Sequence, residues 1–295
     1  VSSHSVKGVF GRVVENAGVA VPTFFYGTAW KEAETTRLTA QALAHGFRAI
    51  DTANQRRHYV EADVGAAVKA ALESGVVRRQ DLFLQTKFTY ARGQDQRIPY
   101  DPRADYRTQV LQSFSSSLEH LATDYVDSYV LHGPERGDRL TAADREVWGA
   151  MAELAAKGQA RLLGVSNVTL SQLAELCRSV SPKPAFVQNR CYAATGWDRD
   201  VRAFCRENAI LYQGFSLLTA NPHLLRDARV QSAAERRGAT PEQLIFRFAL
   251  EVGMIPLTGS SSARHLVQDL GVYELHALTP EELGHIECVG APGER

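Results

Sequence analysis

Long apolar runs are missing from this 295-residue chain. No stretch approaches the roughly 18 residues of a membrane span, and the N-terminal segment carries no signal-peptide core. A soluble, cytoplasmic protein without membrane contact is the expectation. Excess charge is missing as well: Lys+Arg 33 balance Asp+Glu 33, which removes the bulk attraction for nucleic acid or an anionic membrane. Cysteine is scarce. Cys177, Cys191, Cys205 and Cys288 have no C-x-x-C spacing and sit in apolar or helical surroundings. They are expected to be reduced, packed thiols and not a disulfide frame or metal site. The G-x-G-x-x-G turn of an open dinucleotide-binding sheet is also absent; the turn after the first core strand reads Gly27-Thr-Ala-Trp-Lys. What remains is an ordinary globular composition, 44% hydrophobic and 22% charged.

Strand and helix patterns alternate regularly along that composition. Residues 1–20 read as a β-hairpin or loose segment, with Gly18 offering the turn. Short apolar runs near residues 23, 47, 82, 125, 161, 185, 210 and 253 are each followed by a helical period or a loop and helix. Such alternation argues a parallel sheet. Eight units over this length favour a closed (β/α)8 TIM barrel spanning 1–295 as a single domain. No linker-like run divides it.

Three of these strands end on titratable residues. Phe47-Arg-Ala-Ile runs into Asp51, Asp81-Leu-Phe-Leu-Gln-Thr into Lys87, and Tyr125-Val-Asp-Ser-Tyr-Val-Leu into His132. A lone Asp51 would be read as a helix cap. In a barrel, however, all strand C-termini meet at one face, where active sites lie. Asp51 and Lys87 are expected to pair there, since either charge alone carries a large desolvation cost. A nearby ammonium would lower the pKa of a tyrosine hydroxyl, and His132 could orient a substrate oxygen. The set suits proton transfer to a carbonyl oxygen.

Taken together, Gly27-Thr-Ala-Trp30, Asp51-Thr-Ala, Gln85-Thr-Lys87, Asp124 through His132, Gly164-Val-Ser-Asn167 and Gln188 occur in order, each at its strand end. In this the chain resembles the aldo-keto reductase superfamily over nearly its whole length. The resemblance implies an NADP(H)-dependent oxidoreductase acting on a small aldehyde, ketone or alcohol. Asp51 and Lys87 would tune a tyrosine acid and His132 would position the carbonyl. Ser166, Asn167 and Gln188 would hold the nicotinamide carboxamide, and Phe215 would stack on the ring. Gly27, Thr28, Asp51, Ser216, Leu218, Gly259, Ser260, Gln268 and Asp269 complete the implied coenzyme set. Trp30 and Phe88, with His132, would line the substrate pocket.

The sequence departs from the family pattern at three places. The usual D-T-A-x-x-Y-x-N-E loop is longer here, and counting back from Glu61 places His58, not Tyr59, at the tyrosine position. Chemistry favours Tyr59 as the acid, with His58 as the alternative, because an imidazolium beside an ammonium is disfavoured. The usual I-P-K-S segment reads Ile255-Pro-Leu-Thr, so Arg264, or His265, would take the 2′-phosphate; a guanidinium fork suits it better. Gly133 replaces a tryptophan common in relatives and opens that pocket wall. Two other classes share the barrel: a nicotinamide-binding regulatory barrel with little turnover, and a lyase or isomerase barrel that uses no nucleotide. Neither the physiological substrate nor the oligomeric state is encoded in a decodable pattern.

Overall fold

The alternating segments close on themselves. The computed structural model describes residues 11–289, and begins with a hairpin of β1 (Val13–Asn16) and β2 (Val19–Pro22). Its turn residues Ala17 and Gly18 have φ of 48° and 75°, the hand that matches strand twist. The expected residues 1–10 and 290–295 of the single-domain span lie outside the described residues.

Strand and helix then repeat as β3 (Phe25–Gly27), α1 (Thr35–Ala44), β4 (Ala49–Asp51), α2 (Glu61–Glu73), β5 (Phe83–Phe88) and α3 (Tyr106–Leu121). Next come β6 (Val126–Leu131), α4 (Ala142–Ala156), β7 (Ala160–Ser166), α5 (Leu170–Ser179), β8 (Phe186–Arg190) and α6 (Arg199–Glu207). The last part is β9 (Leu211–Phe215), α7 (Ala228–Arg236), α8 (Pro241–Glu251), β10 (Met254–Thr258), α9 (Ala263–Leu270) and α10 (Pro280–Cys288). Strands β3 to β10 form one closed barrel in sequence order. All neighbours are parallel, and Leu257 and Thr258 pair with Phe25 and Tyr26 to close it. The fold is a (β/α)8 barrel with an N-terminal hairpin.

Burial follows from that closure. Every residue of β5 and of β6 is buried, as expected for strands covered on both faces. At the strand starts the interior is apolar: Phe25, Phe83 and Phe186 meet edge to face at centroid distances of 5.4 and 5.8 Å. Each such ring contributes roughly 1.5–3 kcal/mol by burial. Val19 and Val21 of the hairpin pack against the same cluster, so the hairpin covers the apolar end. Helix α2 approaches α3 closely enough that a Cβ on Gly65 would overlap the His120 carbonyl.

The long loop between β5 and α3 is pinned at both ends of its path. Tyr90 donates to Asp144 Oδ1 at 2.8 Å, and Tyr100 donates to the Thr89 carbonyl at 2.7 Å. Three cysteines are buried as expected, but Cys288 is exposed; it falls in the last turn of α10, where the helix leaves the core. Among the described residues no helix is long and apolar enough to cross a membrane.

Candidate active site

Above the apolar plug the barrel interior turns polar. Asp51, Gln85, Gln188 and Gln213 project inward from four strands and are all buried. Gln85 Nε2 donates to Asp51 Oδ1 at 2.7 Å and to Gln213 Oε1 at 2.9 Å; Gln188 Nε2 donates to the same two oxygens at 3.0 and 2.9 Å. Lys87 completes the layer. Its ammonium donates to Asp51 Oδ1 and Oδ2 at 2.7 Å each, and to the Thr52 carbonyl at 2.8 Å. The expected pair therefore forms, with the carboxylate further held by two amides. Burial lowers the Lys87 pKa against the opposing pull of Asp51 and Glu61.

A cavity of about 1110 Å³ opens on this layer, at the C-terminal ends of the strands. Asp51, His58, Tyr59 and His132 line it; Lys87 sits behind Asp51, fully buried. The turn Gln55–Tyr59 decides which residue faces inward. Both His58 N and Tyr59 N donate to the Gln55 carbonyl, and Gln55 Nε2 donates to the Gly93 carbonyl at 2.7 Å. Tyr59 is thereby placed with its ring 5.1 Å from the Lys87 ammonium and 6.0 Å from the His132 ring. His58 instead lies against Trp30, the ring centroids 4.0 Å apart and the planes tilted by 38°. The geometry groups Tyr59, not His58, with Asp51, Lys87 and His132.

One expectation about this tyrosine is corrected. Its pKa is raised, by burial first and then by the Asp51 charge. Asp51 offsets the Lys87 charge, so the phenol feels an ion pair instead of a bare cation. The hydroxyl is held protonated, the state an acid needs.

His132 is held neutral, its pKa pushed down to about 3 by burial, then by Lys87 and His58. Its Nδ1 shares a 2.7 Å hydrogen bond with Thr89 Oγ1, which leaves Nε2 for a ligand oxygen. The linkage sign is definite. The folded pKa of about 3 lies below the ordinary 6.5, so the unfolded chain takes the proton first. Stability from this burial is complete above about pH 6.5 and is lost as pH falls toward 3. Thermal unfolding followed from pH 7 to 3.5 should therefore fall less steeply in His132→Gln than in the unchanged protein. Parallel curves would mean that the fold does not hold His132 neutral.

Of the residues expected to hold the coenzyme, Ser166, Asn167, Gln188, Phe215, Ser216 and Leu218 also line the cavity. Ser166 Oγ donates to the Gln188 carbonyl at 2.6 Å, and Asn167 Nδ2 donates to Ser166 Oγ and to the His132 carbonyl. Gln188 spends its amide protons on Asp51 and Gln213, and its Oε1 accepts no hydrogen bond among the described residues. A free acceptor there suits a carboxamide NH₂. At the other end Gly27, Gly259, Ser260, Arg264, Gln268 and Asp269 line the wall, joined by His265. Burial raises the Asp269 pKa to about 7, against the hydrogen bond from Thr258.

Two expected lining residues are not there. Phe88 follows Lys87 in a strand, where successive side chains point to opposite faces. With Lys87 inward, Phe88 is fully buried outside the barrel, its ring 5.5 Å from Tyr100 and 5.4 Å from Tyr90. Thr28 is buried too, its hydroxyl donating to the Asp51 carbonyl at 2.9 Å; it steadies the Asp51 backbone. Trp30 does line the cavity, 71% exposed at its rim. Residues not anticipated are Gln213, Gln55 and Lys31, the last donating from the cavity wall to the Gly259 carbonyl. Lys31 was discoverable, since it directly follows the Gly27-Thr-Ala-Trp30 segment.

A barrel with buried charges at its strand C-termini defines an enzyme scaffold. Comparison with known proteins narrows it. A sequence model of the Aldo/keto reductase family matches residues 23–290, and the chain belongs to that family of oxidoreductases. An aldehyde reductase of Saccharomyces cerevisiae is 28% identical over 288 residues, covering 88% of this chain and 85% of that protein. A glyoxal reductase of Bacillus subtilis is 28% identical over 274 residues, covering 92% and 90%. Among solved structures, a Bombyx mori aldo-keto reductase in complex with NADP has a TM-score of 0.80 at 24% identity, covering 96% of this chain and 94% of that one.

Proposed function

We propose that the protein is an NADP(H)-dependent carbonyl reductase, converting an aldehyde or ketone to an alcohol. The observation that carries this is the meeting of the Asp51–Lys87 pair, the Tyr59 ring and neutral His132 on one cavity. The coenzyme supplies a hydride when bound. Tyr59 gives its hydroxyl proton to the carbonyl oxygen as charge develops there, and the Lys87 ammonium stabilises the phenolate left behind. Asp51, itself held by the two amides, and the Thr52 carbonyl hold Lys87 in place. His132, through Nε2, orients the carbonyl oxygen toward Tyr59. Asn167 and Gln188 offer acceptors and Ser166 a hydroxyl to the nicotinamide carboxamide, and Phe215 a ring face.

Phosphate selectivity at the far end rests on Arg264, since the family lysine is replaced by Leu257. Arg264 is exposed, and its one hydrogen bond among the described residues is to His265 Nε2, at 3.3 Å, so most of its fork is available. Arg264→Ala should weaken NADPH binding by roughly 1.5–3 kcal/mol, the cost of one charge-assisted contact, with little effect on NADH. Fluorescence titration with both coenzymes, alongside reduction of a simple aldehyde, tests the assignment. Equal losses for both coenzymes would place the 2′-phosphate elsewhere. Absence of binding to either would remove the reductase reading.

A further inference from the structure

Arg92 stands on the short turn Ala91–Gly93 that follows β5, on the rim of the cavity. Its Nη2 donates to the Pro134 carbonyl at 2.5 Å, which ties the side chain to the strand exit two residues beyond His132. No carboxylate pairs with it among the described residues, and the acid nearest in sequence, Asp95, is already held by Arg97. A guanidinium has five N–H donors in a planar fork, and Pro134 occupies one nitrogen.

The carboxylates of Glu135 and Asp144 act on the adjoining Tyr90, but no salt bridge to Arg92 forms among the described residues, so its free N–H donors face the cavity. Asp51 is neutralised by Lys87, and His132 is neutral. Space for a ligand lies beside it. Thr89 is small, and a Cβ at Gly133 would meet nothing closer than Asn167 Cβ at 3.6 Å and the Ser166 carbonyl at 3.7 Å. A second cation, Arg190, lines the cavity from the end of β8, but lies 5.4 Å from the Tyr192 ring centroid and has no anchor of the Pro134 kind among the described residues.

We propose that Arg92 receives an anionic group of the substrate, so that the preferred substrates are aldehydes or ketones carrying a carboxylate away from the reacting carbonyl. The fork matches a carboxylate in two-point geometry, and the Pro134 bond holds it ready so that less side-chain freedom is lost on binding. The anion would be fixed at the rim while the carbonyl reaches Tyr59 and His132. This rests on the carbonyl-reductase reading.

The test compares kcat/KM within pairs that share a carbon skeleton and differ in charge: 4-carboxybenzaldehyde against its methyl ester, and succinic semialdehyde against butanal. NADPH is held saturating, and its binding to each variant is followed by fluorescence as a check on folding. The acid should be preferred by about tenfold or more in at least one pair, the range set by one charge-assisted contact. In Arg92→Leu that preference should fall to near unity, chiefly through the KM of the acid. Arg92→Lys, which keeps charge without the fork, should lie between. Equal or better use of the neutral member in both pairs overturns the proposal. So does a preference that survives Arg92→Leu, or one abolished by Arg190→Leu alone. If no aldehyde of either kind oxidises NADPH, the reductase reading itself fails and takes this one with it.

Discussion

Tyr59→Phe should cut single-turnover carbonyl reduction by ~10²–10⁴-fold, the range for loss of a positioned proton donor, while NADPH binding persists. His58→Phe should cost far less. Tyr59 shares its surroundings with Lys87 and His132, whereas His58 rests on Trp30 at the rim. The pH profile gives an independent reading of the same question. Burial and Asp51 hold the Tyr59 hydroxyl protonated well into alkali, so reduction should run on a plateau across roughly pH 5 to 9, a range that brackets the histidine reference value. Burial and Arg57 lower the His58 pKa, so a His58 acid would already be losing its proton below neutrality and reduction would fall there. Full activity in Tyr59→Phe with a dead His58→Phe would reverse the assignment.

Lys87→Met should be damaging twice over. Removing one partner of a buried pair leaves Asp51 charged and uncompensated at 3% exposure, at a cost of about 3–5 kcal/mol in stability. Turnover should fall by ~10²-fold or more, because the phenolate loses its counter-charge. The double variant Asp51→Asn with Lys87→Met separates the two effects. Its neutral amide can still accept from Gln85 and Gln188, so denaturant unfolding should show much of the stability restored. Turnover should stay low. A double variant that regains turnover would mean that Lys87 serves the fold alone.

How much of this was visible in the chain depends on which force wrote each feature. Strand–helix alternation is a local hydrophobic pattern, so all eight barrel strands and the helix Glu61–Glu73 could be read directly. Asp51, Lys87 and His132 stood out because a titratable residue at the end of an apolar run is conspicuous. The Gln85–Gln188–Gln213 layer depends on closure: an amide in an apolar strand acquires meaning only once the barrel brings the others to it. Phe88 belongs to the outer face because it follows the inward Lys87 by one residue, which the two-residue strand period dictates and the apolar character of the run conceals. The choice between His58 and Tyr59 hinged on the Gln55 turn, whose hydrogen bond to Gly93 joins residues 38 apart in sequence. Helix α10 is also legible, since Thr279-Pro-Glu-Glu starts it just as Thr240-Pro-Glu-Gln starts α8, each with a reciprocal cap.

The most direct test of the central claim follows the hydride. Enzyme is mixed with NADPH deuterated at the transferable C4 position of its nicotinamide and with 4-carboxybenzaldehyde, and the alcohol is examined by mass spectrometry and NMR. The account predicts one deuterium on the carbinol carbon, formed at a rate that collapses in Tyr59→Phe. Coenzyme that binds to the cavity yet is never oxidised, or an alcohol that carries no label, would contradict it and leave a nicotinamide-binding barrel without reductase chemistry.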